Sequence, residues 1–255
     1  MHSRRNSVEH ISTARRSCDN CCTRKYCLVS RIDERLTPGL SKAMRHPRIL
    51  ARGERLFIQG DKFYSIYLVR SGTFKSYIID DTGDRQITGF HFAADILGLD
   101  GVQSGRHGLE IEALETSSVC VVPFCKLEQD FGQNQSGLYR YLIGAASGAA
   151  YQQSYLLMLL GRLHAAQRLA SFLLDISRKM GERGGSESEF HLTMPRYDIA
   201  NYLGMAVETV SRLFKRFEKQ NLIKVERRHL KIIDRDGLLD TLSSDHRFSA
   251  LRNTA

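Results

Sequence analysis

From about Arg48 to Phe124 the apolar residues fall in short alternating runs, among them Tyr64-Ser-Ile-Tyr-Leu-Val69, Phe74-Lys-Ser-Tyr-Ile-Ile79 and Ser118-Val-Cys-Val-Val122. A period of two sends successive side chains to opposite faces of a strand. Glycines at 53, 60, 72, 83, 89, 98 and 101 punctuate the runs at turn-like intervals. The pattern predicts an antiparallel double-sheet roll of about eight strands, with Asp81-Thr-Gly-Asp84 at a hairpin tip. After Gly137 the period changes: Leu138, Leu142, Ala145, Ala149, Gln152, Leu156, Leu159 and Leu163 alternate four and three residues apart. That spacing is the a/d seam of a coiled coil, and it predicts a helix pairing with a second copy of the chain. The contact positions expected are Leu142, Ala149, Gln152, Gln153, Leu156, Leu159 and Leu163, with Gln152 as the polar position that fixes register. A helix of this length can also pack on its own β domain. Ala165 to Met180 continues as an amphipathic helix with Leu169, Phe172, Leu173 and Ile176 on one face, followed by a polar, glycine-rich connector from Gly181 to Ser188.

The stretch Thr193 to Lys219 has the layout of a helix-turn-helix. Pro195 suits a helix start, Ile199, Ala200 and Leu203 give the first helix an apolar face, and Gly204 permits a left-handed turn. The second helix begins near Ala206, and its stripe of Val210, Leu213, Phe214 and Phe217 leaves Glu208, Thr209, Ser211, Arg212 and Lys215 outside. Arg212 has the fork to bond guanine O6 and N7, and Glu208, one turn earlier, can accept from cytosine N4. Lys215, Arg216 and Lys219 suit phosphates, which position without specifying. Leu222 to Glu226 and Leu230 to Ile233 read as a hairpin whose Arg227-Arg228-His229 tip forms a basic wing.

Net charge adds to this picture: the chain of 255 residues carries 37 Lys and Arg against 28 Asp and Glu, a formal +9. A polyanionic partner, nucleic acid first, fits that balance. No apolar run is long enough to span a membrane and the N-terminal stretch lacks a secretory core, so the expected compartment is the cytoplasm, without membrane association. In that reducing setting six cysteines point to metal ligands or buried thiols rather than disulfides. Cys18, Cys21 and Cys27 stand in a C-x2-C-x5-C array with Arg16, Arg24 and Lys25 nearby, which favour the thiolate form that a soft metal needs. A fourth donor would come from Cys22, Cys120 or Cys125. The organisation expected is α+β: a cysteine-rich arm over 1–30, an N-terminal β roll over 31–135, a dimerisation helix over 136–164, a C-terminal winged helix-turn-helix over 165–240 and a tail over 241–255.

In this order of elements the chain resembles the CRP/FNR superfamily of bacterial transcription regulators, and within it the oxygen-responsive FNR subgroup. The resemblance is carried by the cysteine spacing, by Leu68-Val-Arg-Ser-Gly-Thr-Phe-Lys-Ser-Tyr77, Gln86-Ile-Thr-Gly-Phe-His91 and Leu114-Glu-Thr-Ser-Ser-Val-Cys120, and by Asp198-Ile-Ala-Asn-Tyr-Leu-Gly204 with Val207-Glu-Thr-Val-Ser-Arg212. It implies one oxygen-labile [4Fe-4S] cluster per subunit on Cys18, Cys21, Cys27 and Cys120, a homodimer, and an inverted repeat of TTGAT-like half-sites in double-stranded DNA. It further implies contacts to those bases from Glu208, Ser211 and Arg212, and surface loops that touch RNA polymerase at Ser71, Gly72, Thr82, Gly83 and Asp84. The subgroup commonly carries an acidic residue where this chain has Gln153 on the dimerisation helix, so a less strictly oxygen-gated dimer is expected.

Three other readings compete. A cyclic-nucleotide regulator would need an Arg-Ser pair after an acidic residue, and the chain has Gly98-Leu-Asp100 followed by Gly105-Arg-His-Gly108. A cupin-like enzyme would need clustered metal ligands, whereas His46, His91 and His107 are scattered singly. Four thiolates would also suit structural zinc.

Overall fold

The computed structural model describes residues 21, 25, 27, 47–131 and 136–243. Two four-stranded antiparallel sheets form the β roll. One has the order β1 (Arg48–Leu50), β8 (Ser117–Pro123), β3 (Ser65–Ser71) and β6 (Ile96–Leu97). The other has the order β2 (Arg55–Phe57), β7 (Glu110–Ala113), β4 (Phe74–Ile79) and β5 (Arg85–His91). Leu50, Phe57, Val69, Phe74, Ile111 and Val119 fill the space between the sheets.

Both sheets are also apolar on their outer faces, because each carries a second layer. On the first sheet, Ile66 and Leu68 of β3 and Cys120 and Val122 of β8 point outward into a cluster with Leu127 and Leu142. On the second, Tyr77, Ile87 and Phe90 pack with the C-terminal helices. Strands buried on both sides lose the simple in/out alternation, which is why β4 begins with four consecutive buried residues. The β4–β5 hairpin is closed by Asp80, whose carboxylate accepts from Thr82 N, Thr82 Oγ1 and Asp84 N at 2.6–3.0 Å. The bond from the Thr82 hydroxyl leads the causes that hold its pKa below the usual value.

Among the described residues six helices follow: α1 (Phe124–Phe131), α2 (Ser136–Arg162), α3 (Ala165–Glu182), α4 (Arg196–Tyr202), α5 (Val207–Lys219) and α6 (Arg235–Ser243). At about 1.5 Å per residue, the 27 residues of α2 extend some ~40 Å. Strands β9 (Glu189–His191), β10 (Ile223–Glu226) and β11 (His229–Ile232) form a sheet of order β10-β11-β9 beside α3 to α6. Leu169, Phe172, Leu173, Ile199, Leu203, Val210, Phe214, Phe217 and Leu230 make one apolar core there, continuous with Leu159 and Leu163 at the end of α2. Among the described residues no helix is long and apolar enough to cross a membrane.

Candidate nucleic-acid interface and thiolate site

Helix α5 buries Val210, Leu213, Phe214 and Phe217 and turns its other face to solvent. Glu208, Arg212 and Lys215 are exposed, with Thr209 and Ser211 half-buried beside them. The Arg212 guanidinium rests on Thr209 Oγ1 at 3.4 Å. No ion pair joins it to Glu208 among the described residues, so both groups are available to a ligand. The wing rises next to this face. Arg227 stands at its tip with a positive φ of 58°, and Arg228 and His229 follow. The cations thus lie where phosphates would pass on either side of a helix set in a groove.

What holds α5 at its angle was not legible in the sequence. Gly204 turns the chain between α4 and α5 at φ 59°, and a side chain at that point would meet Leu160 and Arg168 at 3.4 and 3.5 Å. The Arg168 guanidinium donates to four carbonyls: Leu160 O at 2.7 Å, Leu163 O at 2.9 Å, Leu203 O at 3.1 Å and Gly204 O at 3.4 Å. One cation therefore closes the C-terminal turn of α2, where carbonyls lack partners and the helix dipole is negative, and ties it to the reading turn. The Arg196 guanidinium stands over the Phe214 ring, 3.3 Å from its centre, and fastens α4 to α5. Burial lowers its pKa to about 10, still far above neutrality. The sequence signal for Arg168 and Arg196 was only two more arginines in a basic module.

Of the cysteines, Cys18 and Cys22 lie outside the described residues. Cys27 is only 9% exposed and sits in the cluster on the outer face of the first sheet with Ile66, Leu68 and Leu142. Cys120, opposite Leu68 on β8, packs against the same cluster. Cys21 is half-buried, and Cys125 is exposed at the start of α1. The donor set suits a soft metal or an iron–sulfur group, since two thiols from segments 93 positions apart (120 minus 27) border the same apolar cluster as Leu142 of α2. No grouping of three His, Cys, Asp or Glu side chains that could hold a metal ion occurs among the described residues.

Helix α2 divides its apolar residues unequally. Leu142 is covered by the first sheet, and Leu159 and Leu163 by the C-terminal core. Leu156 is also buried, whereas Gln152 is half-buried and Ala149 open. The row left uncovered lies one residue over: Tyr139 at 58%, Ile143 at 51% and Leu157 at 72% exposure, with Ala146 and Ala150 open between them. Those five positions keep the four-three spacing, and Gln153 completes it. Gln153 donates from Nε2 to Thr88 O on β5 at 3.1 Å, a bond a carboxylate could not make.

At the other predicted surface, Ser71 Oγ and Ser118 Oγ are 2.7 Å apart and exposed. Gly72 has φ 83°, and a Cβ there would fall 2.1 Å from Ser117 Oγ, so this glycine has a steric reason of its own. Thr82, Gly83 and Asp84 form the exposed β4–β5 turn. Arg106, the one residue reminiscent of a nucleotide site, is turned onto Gly60 O at 2.8 Å.

A β roll joined through one long helix to a winged helix-turn-helix defines a DNA-binding regulator. The chain matches the model of the cyclic nucleotide-binding domain over residues 47–134 and that of the Crp-like helix-turn-helix domain over 167–241. It is 39% identical to the fumarate and nitrate reduction regulatory protein of Escherichia coli K12, across 87% of this chain and 88% of that one, and 38% identical to its counterpart in Klebsiella oxytoca over the same shares. FixK2 from Bradyrhizobium japonicum superposes with a TM-score of 0.70 at 28% identity, over 78% of this chain and 96% of its own. A CooA variant from Carboxydothermus hydrogenoformans shares the fold at a TM-score of 0.64 and 18% identity, over 79% of this chain and 89% of that one. The chain belongs to the CRP/FNR family of transcription regulators, whose members bind DNA and are not enzymes.

Proposed function

We propose that this regulator controls anaerobic gene expression through one [4Fe-4S] cluster per subunit, held by Cys18, Cys21, Cys27 and Cys120. The observation that carries this reading is the meeting of Cys27, Cys120 and Leu142 in one apolar cluster. When bound, the cluster supplies an oxygen-labile centre. Held by the cluster, Cys27 would stay packed with Leu142 of α2 on the outer face of the first sheet. Two copies of α2 then pair along Tyr139, Ile143, Ala146, Ala150, Gln153 and Leu157, where small residues allow close approach and Gln153 adds no charge repulsion. The pairing presents Glu208, Ser211 and Arg212 of each copy to TTGAT-like half-sites in inverted repeat, about one helical turn apart. Ser71, Gly72 and the Thr82 to Asp84 turn face outward, where RNA polymerase would meet them. An uncharged Gln153 makes the metal-free chain a readier dimer than a relative with an acidic residue there.

Purification without air, with iron and acid-labile sulfide analysis, tests the reading. Iron and sulfide in equal amounts, visible absorption that bleaches in air, and operator affinity that falls with it are expected. A colourless, iron-free protein with the same operator affinity in both conditions overturns it, and zinc in place of iron would keep the thiolate site but remove the oxygen response.

A further inference from the structure

The first helix of the reading module is fastened to the β roll by three neighbouring side chains. Asp198 forms a buried ion pair with Lys75 of β4 at 3.1 Å, their side chains only 4% and 8% exposed, and Lys75 also reaches Glu112 of β7 at 3.3 Å. One turn later, Asn201 accepts from Ile87 N at 2.6 Å and donates to Arg85 O at 2.7 Å. Gln86 returns a bond to Asn201 O at 2.9 Å. Strand β5 is the edge of its sheet, so Arg85 O and Ile87 N are the groups that a further strand would pair. The Asn201 carboxamide, one acceptor beside one donor, takes that strand's place. Next to it, Tyr202 packs on Phe90 of β5 and Phe172 of α3, ring centres 5.1 and 5.9 Å apart.

A buried ion pair is weak evidence for stability, because desolvation offsets the attraction; its better-attested use is to fix one arrangement over others. Here the arrangement fixed is an angle. Helix α5 rides on α4 through the shared core of Ile199, Leu203, Val210 and Phe214, so whatever holds α4 aims Glu208, Ser211 and Arg212. We infer that Asn201 and the Lys75–Asp198 pair are positioning residues for DNA reading: they fix the direction in which each reading helix leaves the β roll, and so set which half-site spacing the dimer accepts. None of the three needs to touch DNA.

This inference rests on the dimer reading given above. The test uses the full chain purified without air and duplexes bearing either one TTGAT half-site or two in inverted repeat, their spacing lengthened or shortened by one or two base pairs. Wild-type protein should prefer one spacing. In Asn201→Ala the preference over the neighbouring spacings should shrink by about fivefold, the worth of roughly one hydrogen bond, with single half-site affinity unchanged. Asp198→Asn removes the ion pair while Lys75 keeps Glu112 as its partner, gives a second reading should Asn201→Ala fail to fold, and should flatten the profile alike. An unaltered spacing profile overturns the inference, as does an equal loss on every duplex including the single half-site. Wild-type protein that binds all spacings equally overturns the dimer reading itself, and the inference with it.

Discussion

The two outer faces of the β roll are put to different uses. The first sheet's outer face carries Cys120, the buried Cys27 and the first turns of α2; the second sheet's outer face carries the reading module. The reading face is complete within one chain: its core is closed, its ion pair is buried, and its exposed residues come from a single stretch of sequence. The thiolate face is assembled from distant segments, and the helix leaving it shows an uncovered apolar row. One side of the roll is finished by folding. On the proposed function, the other is completed by what is added, and that is where control would enter.

Four changes separate the two sides. Phe217→Ala should cost about 3–5 kcal/mol in the reading module by opening a cavity in a well-packed core. Chemical denaturation should register that loss, while the iron content of anaerobically prepared protein stays the same. Leu157→Glu places a charge on the exposed row of α2, and by the cost of burying an unpaired charge the dimer should weaken by roughly 2–3 kcal/mol or more. Sedimentation should then find monomer at concentrations where the wild type is paired, with the fold intact. Arg212→Ala should lose about 1–3 kcal/mol of operator binding and blur one base position. Equal loss on all sequences would instead make Arg212 a phosphate contact.

The smallest effect concerns pH. Burial lowers the His91 pKa from 6.5 to about 4, and the neutral ring lies within 2.9 Å of Ser76 Oγ. Asp95 opposes that shift, while Lys179 and Arg183 add to it. A histidine neutral in the fold but free to protonate when unfolded favours the unfolded chain in acid. Stability should therefore fall as pH drops from 6.5 toward 4, by about 1–2 kcal/mol after allowing for the partly open side chain. Denaturant titrations of the metal-free protein should give a flatter profile for His91→Asn, and matching profiles would rule out His91 as the source.

Elements with local signals were legible in the sequence. The alternating runs became the eight strands of the roll, the stripe of Val210, Leu213, Phe214 and Phe217 became the buried side of α5, and Gly204 took the left-handed turn. The a/d pattern of α2 also marked a helix, but it could not tell which leucines the chain covers itself. Leu142, Leu159 and Leu163 are enclosed by residues far away in sequence, which periodicity alone does not register. The grip of Asn201 on β5 and the four bonds of Arg168 were unreadable for the same reason: both join positions whose proximity exists only after folding. For the thiolate site the spacing of Cys18, Cys21 and Cys27 suggested a ligand set in the sequence, whereas Cys120 looked like any strand thiol until the resemblance singled it out.

All four acceptors of Arg168 are main-chain oxygens. Residues 160 and 163 can therefore change identity without altering what the guanidinium meets, provided the backbone path is kept. The joint between the long helix and the reader is in this sense insulated from drift in most of the side chains around it. It is exposed to drift at only two places, the arginine itself and the glycine at 204, and a family could diversify both modules while this hinge kept its geometry.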